Sequence, residues 1–205
     1  NLQMLPPFRR AGNTPSISAG RQCSIKAEKH QKEFRIVTIG RISPIKDYET
    51  LINAVEILVR PWRSHQGEFG NMGSGETLEV SPSLRVEIVG GAPMREQEEY
   101  LEGLKQMVKE KGLDEVIHFT GPVPNPEIIQ HLQAADVFAH TSRTGSLDKA
   151  VLEAMAAGLP VVSSNDSSRE LLADYTDQLT FSEGKAQDLA GKITQLMQQD
   201  PAKRN

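Results

Sequence analysis

The chain has 205 residues, an apolar fraction of 38% and a net charge of −4. That is enough chain for one sizeable core, and its apolar runs all fall well short of the ~20 residues of a membrane span. The single cysteine, Cys23, excludes an internal disulfide and a cysteine-built zinc cluster, and suits a reducing cytoplasm. No basic segment runs into an apolar one, so no secretory signature is present and a cytoplasmic protein is expected. The charge is uneven: residues 1–33 carry +4 and the remainder −8. An acidic globular part does not attract nucleic acid, which is therefore not an expected partner.

Asn1 to Glu33 shows no helical or strand periodicity and is rich in Pro, Ser, Gly and Lys. It is expected to be an irregular linker with a short strand near its start, leaving residues 34–205 as the domain. Phe34 to Gly40 is a β-branched run ending in glycine, the profile of a buried parallel strand. A loop, Arg41 to Lys46, follows. A helix from Asp47 places Leu51, Ile52, Val55 and Leu58 on one face, and Pro61 is expected to end it. Residues 62–83, Gly- and Ser-rich, read as a long surface loop.

Leu84 to Gly90 is the next strand. A helix over about Met94 to Lys111 follows, with Gly112 as its cap. Val116 to Thr120 is a third strand, Pro126 to Ala134 a short helix, and Asp136 to His140 a fourth strand. Thr141 to Leu147 is a loop of mostly small and polar residues. The helix beyond it spaces Val151, Leu152, Met155 and Ala156 for burial, with Gly158 as a left-handed cap and Pro160 beyond. A strand over Pro160 to Ser163, a helix over Ser168 to Ala173, a strand near Leu179 to Phe181 and a helix over Ala186 to Gln199 complete the order.

Strands alternating with helices in this rhythm predict an α/β domain: a parallel sheet with helices on both faces. Ligands of such sheets bind outside the carboxyl ends of the strands. The unusual residues collect there: Gly40 and Arg41, Gly90 and Gly91, Gly121, then Thr141 to Gly145. A helix N-terminus facing a glycine-containing loop favours an anion, and Gly145 and Ser146 offer N–H groups beside it. Asp148, expected in the first helical turn, complements the helix dipole. Arg41 and Lys46 flank the first strand-to-helix turn and suit a pyrophosphate, although as residue types alone they read more readily as solvated loop charges. Glu153 lies one turn inside the helix, within reach of a ligand. His118, His131 and His140 show no metal-ligand spacing and read as structural, so no metal is expected. Neither a dinucleotide fingerprint nor a P-loop occurs.

Leu152-Glu-Ala-Met-Ala-Ala-Gly-Leu-Pro-Val-Val162 resembles the donor-site signature of retaining glycosyltransferases of family 4, whose two-domain architecture is GT-B. Gly40-Arg-Ile-Ser-Pro-Ile-Lys46 is similar to the family's Gly-Arg…Lys element. The resemblance covers roughly residues 34–200. It implies the Rossmann-like C-terminal half of such an enzyme, with a nucleotide-diphosphate sugar such as a UDP- or GDP-sugar as donor and no cofactor. It further implies that Arg41 and Lys46 neutralise the donor diphosphate and that Glu153 accepts hydrogen bonds from the ribose hydroxyls. The loops at Gly90, Gly91 and Gly121 would let the backbone approach nucleobase and ribose. Gly40, Val123, Ser142, Gly145, Ser146, Leu147 and Lys149 complete the implied nucleotide-sugar site.

One departure stands out. The first of the family's two motif glutamates falls at Gly145, so the site is either inactive or rewired. Rewiring would give Asp148 a catalytic place against a sugar hydroxyl, with Lys149 near the phosphates. The acceptor site would belong to an N-terminal domain of the same parent chain. The isolated fragment would then not transfer sugar, and any peripheral membrane contact would run through that missing domain. A non-catalytic nucleotide- or phosphosugar-binding module and a GT-B-like sugar-nucleotide epimerase are the alternatives.

Overall fold

The computed structural model describes residues 33–66 and 84–199. Residues 1–32 of the expected linker, with its strand, and residues 67–83 of the expected loop lie outside them. All described residues belong to one unit, 31–205.

The elements follow as β1 (Phe34–Ile39), α1 (Tyr48–Gln66), β2 (Leu84–Val89), α2 (Arg95–Glu110), β3 (Ile117–Gly121) and α3 (Asn125–Gln133). Then come β4 (Val137–His140), α4 (Lys149–Ala156), β5 (Val161–Ser163), α5 (Arg169–Leu172), α6 (Thr176–Leu179) and α7 (Ala186–Gln198). The five strands form one parallel sheet in the order β3-β2-β1-β4-β5. The register of β1 runs from Phe34 opposite Leu84 to Ile39 opposite Val89, and on its other side Ile36 faces Val137. This is the doubly wound α/β fold that the alternation predicts.

Period-two alternation divides the strands between two cores. Ile36, Val86, Ile88, Val137, Ala139 and Val162 pack with α1, α2 and α7 on one face. Val37, Val89, Phe138 and Val161 pack with α3, α4 and α5 on the other. On α1 the periodic residues Leu51, Ile52, Val55 and Leu58 are all buried. On α7 the inward residues are Leu189, Ile193 and Leu196. Fully burying one such side chain contributes about 1.5–3 kcal/mol, so these two stripes hold their helices against the sheet.

Four sequence expectations need correction. On α4 Val151 is buried as expected, but Leu152 and Ala156 are exposed and the small Ala154 packs inward instead. Pro61 does not end α1, which runs on to Gln66 and so takes in residues 62–66 of the expected loop. A proline inside a helix removes one backbone hydrogen bond and strains one turn, and the turns before it are anchored by the core. Near Leu179 to Phe181 a single bridge, Ser163 to Thr180, stands where a strand is expected, because Leu179 ends α6. Asp148 is the N-cap of α4 and not a first-turn residue. Gly112 and Gly158 do terminate their helices with φ of 60° and 79°.

Sheet order fixes where the loops go. From β1 the chain winds outward through α1 and α2 on one face. After β3 it crosses back, through α3 on the other face, to β4 beside β1. The loops leaving β1 and β4 therefore lie side by side at the carboxyl edge, where the strand order reverses and ligands of such sheets bind.

Candidate functional site

The floor of the candidate site is backbone. Gly40 N–H donates to Val89 O at 2.9 Å, Gly90 N–H to Gly121 O at 3.0 Å, and Ile42 N–H to Gly91 O at 2.9 Å. The ends of β1, β2 and β3 are thereby sewn together in one row. A Cβ on Gly90 would lie 1.8 Å from Gly40 O, so only glycine fits. Gly121 is at φ 81°, in the left-handed region. A Cβ on Gly91 would press on Pro122 at 3.2 Å. The turn glycines therefore leave bare backbone at the carboxyl ends of three adjacent strands. Val123, half-buried, follows in the same loop and packs against the α3–α4 core.

Two loops form the walls. Beyond β1, Pro44–Lys46 makes a single 3₁₀ turn and Asp47 closes it in the left-handed conformation, φ 51°. Beyond β4, residues 141–148 lie against that turn. Thr141 Oγ1 donates to Lys46 O at 2.6 Å, and Arg143 N–H donates to Ile45 O at 2.9 Å. The Arg143 guanidinium reaches the buried Asp47 carboxylate. Ser142 is buried, its Oγ 3.0 Å from Thr144 Oγ1. The two walls are thus one bonded unit, although far apart in sequence.

A third loop, after β5, supports the second wall from behind. The Asn165 side-chain amide donates to the carbonyls of Thr144 and Ser146, and its oxygen accepts from Ser167 N–H at 2.8 Å. Ser167 Oγ donates to Gly145 O at 2.5 Å. Three successive carbonyls are tied down. The backbone N–H groups from Gly145 to Ala150 find no acceptor among the described residues. N–H groups left without an acceptor at the positive end of the α4 dipole favour an anion. A Cβ on Gly145 would meet nothing within 4 Å, and Ser146 and Leu147 beside it are exposed.

Cations complete the site. Arg41 is exposed and makes no ion pair among the described residues. Lys46 Nζ donates to Asp148 Oδ2 at 2.6 Å. The same oxygen accepts from His140 Nε2 at 2.7 Å, and His140 Nδ1 lies 2.9 Å from Ser163 Oγ. Burial pushes the Asp148 carboxyl up, but the bonds from Lys46 and His140 outweigh it and hold Asp148 below the usual carboxylate range. For His140 burial dominates and holds the imidazole below its ordinary value, against the opposing pull of Asp148. An ionised carboxylate has no proton to give, so the 2.7 Å bond to Asp148 takes its proton from Nε2.

The predicted residues fall into three groups. Gly40, Gly90, Gly91 and Gly121 form the row of strand ends, with Arg41 and Lys46 in the loop beyond it. Ser142, Gly145, Ser146, Leu147 and Asp148 lie on the second wall. Lys149 and Glu153 are paired with each other at 2.7 Å, an i,i+4 ion pair along α4. Sequence spacing leaves His140 a structural histidine and gives Arg143, Ser163 and Asn165 no role. In the fold all four hold the site together. Only the cluster of small polar residues after β5, Ser163 to Ser168, could have signalled it.

Among the described residues no helix is long and apolar enough to cross a membrane. A family model of glycosyl transferases group 1 matches residues 22–205. The D-inositol 3-phosphate glycosyltransferase of Kineococcus radiotolerans is 31% identical over 129 residues, covering 62% of this chain and 26% of that protein. The mannosylfructose-phosphate synthase of Agrobacterium fabrum is 31% identical over 164 residues, covering 79% of this chain and 32% of that protein. The chain therefore spans a minor part of the curated relatives it matches. Anabaena HepE, solved with UDP and glucose, superimposes with a TM-score of 0.62 at 24% identity, over 84% of this chain and 40% of its own. A sheet in the order β3-β2-β1-β4-β5 with its glycines at the carboxyl edge, and a family match over nearly the whole length, lead to one assignment: the chain belongs to the glycosyl transferases group 1 family.

Proposed function

We propose that this chain is the donor-binding half of a retaining glycosyltransferase that uses a nucleotide-diphosphate sugar such as a UDP- or GDP-sugar. The observation that carries the reading is the run of N–H groups from Gly145 to Ala150 without an acceptor among the described residues, beside the Lys46–Asp148 pair, with Arg41 exposed in the loop that also carries Lys46. The diphosphate lies between these N–H groups and that loop, and Arg41 as a planar fork and Lys46 as a point charge neutralise it. As the glycosidic bond breaks, the leaving diphosphate gains negative charge. Preorganised N–H groups and fixed cations stabilise that charge more than they stabilise the ground state. The glycine row accommodates nucleobase and ribose, with Glu153 accepting from the ribose hydroxyls once Lys149 yields. Asp148, in this reading, presents its second oxygen to a sugar hydroxyl, in place of the glutamate absent at Gly145. The acceptor comes from a second domain of the parent protein, so this chain alone does not transfer sugar.

UDP, GDP and ADP titrated calorimetrically into this chain test the site. One of them binds, and Arg41→Ala and Lys46→Ala each weaken binding by roughly ten- to a hundredfold, the loss of one charge-assisted hydrogen bond. Equal affinities for wild type and both variants would remove the diphosphate site. The anomeric configuration of the parent enzyme's product, read by NMR, tests retention.

A further inference from the structure

An aspartate at a helix N-cap ordinarily turns its carboxylate onto the free N–H groups of its own first turn. Asp148 occupies that position on α4 and makes no capping bond. Both bonds of its carboxylate are made by Oδ2 and lead away from the helix, to Lys46 Nζ at 2.6 Å and His140 Nε2 at 2.7 Å. His140 is anchored in turn. It is 4% exposed, its ring stacks near that of Phe138, and its Nδ1 faces the Ser163 hydroxyl, which also accepts the Asn165 N–H. The Val151 N–H is already taken by Asp148 O at 3.0 Å, so a released carboxylate would close on the N–H of Ala150.

We propose that His140 is a positioning residue that holds the Asp148 carboxylate off the start of α4, leaving those N–H groups open to the donor diphosphate. The inference rests on the diphosphate reading above. It explains why two donors share one oxygen. When a phosphate draws the Lys46 ammonium away, His140 remains as the restraint, still bonded to the same oxygen. Without it Asp148 would become an internal anion in the place meant for the ligand. The histidine would then serve by what it prevents.

The test compares UDP and GDP affinities of this chain with those of His140→Asn, His140→Gln, Asp148→Ala and the double variant His140→Asn/Asp148→Ala. Asparagine reaches Ser163 but is too short for Asp148, whereas glutamine carries its amide to the Nε2 position. Expected is a roughly five- to tenfold loss for His140→Asn, the weight of a carboxylate at a helix N-terminus. His140→Gln should restore most of it, and His140→Asn should change nothing in the Asp148→Ala background. Hydrogen exchange supplies a readout independent of any ligand: Ala150 N–H exchanges freely in wild type and becomes protected in His140→Asn. Wild-type affinity in a folded His140→Asn chain, or an equal loss with Asp148 already removed, would overturn the proposal. So would protection of Ala150 in wild type, whether or not any variant folds. If wild type binds neither nucleotide, the donor-site reading fails, and the Ala150 exchange still decides what His140 does.

Discussion

The guanidinium of Arg143 closes on the buried carboxylate of Asp47, with Nη2 at 2.9 Å and Nε at 3.1 Å from the same oxygen. Asp47 also accepts from Thr50 Oγ1 at 2.7 Å and sits at φ 51°, a conformation its surroundings must enforce. Arg143 is therefore the clamp between the loops of β1 and β4. Arg143→Ala is expected to destabilise the chain by about 1–3 kcal/mol, the effect of leaving a buried acceptor short of its partner. Arg143→Lys should recover only part, because an ammonium cannot present two N–H groups in one plane. Urea unfolding measures both, and a change within ~0.5 kcal/mol for the alanine variant would show the clamp to be idle.

Glycines that look alike in sequence should answer differently to alanine. At Gly90 the new Cβ would lie 1.8 Å from Gly40 O, so β1 and β2 must separate or the substitution must fail. A loss of several kcal/mol or insoluble protein is expected for Gly90→Ala. Gly145 has open space around it and an ordinary φ, so Gly145→Ala should unfold at the wild-type urea concentration. Comparable destabilisation of the two variants would contradict the geometry.

The His140–Asp148 pair makes stability depend on pH. Both groups are held below their ordinary values of 6.5 and 3.8, so the unfolded chain binds protons more readily at each site. Their contribution is complete above the unfolded values and is lost as pH falls through the folded ones. Between pH 6.5 and the carboxylate range the slope belongs to His140, since Asp148 contributes only below about 3.8. Unfolding free energies at pH 7.5 and 5.5 should differ in wild type, and the difference should shrink in His140→Gln. An unchanged slope would mean that His140 is not the titrating group.

Strands were the most legible feature, since a β-branched run closing on glycine has few other uses. Helix stripes were equally plain in Leu51, Ile52, Val55 and Leu58, whose spacing needs no knowledge of what they touch. Pro61 misleads because a local rule about backbone geometry yields to packing further along the helix. Within the site, Arg41 and Lys46 stood out only through the family resemblance, because their place after β1 taken alone suits solvated loop charges better. His140 did not stand out at all. Its meaning depends on Lys46, which meets Asp148 across 102 positions, and on Ser163, 23 positions on. Asn165 reaches back 21 positions to Thr144 in the same way. A side chain that acts by holding another carries no spacing pattern, because its partners are chosen by the fold.

The central place of β1 in the sheet has a consequence for synthesis. Arg35 N–H donates to Asp136 Oδ2 at 3.0 Å, a bond between residues 101 positions apart. On the ribosome β1 can pair with β2 early, but its other edge stays bare until β4 has emerged. Through that interval the nascent chain exposes an apolar strand edge, Ile36 and Val37 included, of the kind that recruits foreign strands. The two walls of the site meet only when that edge is covered. A chain arrested after Gly121 would therefore lack the site and be the form most prone to aggregate.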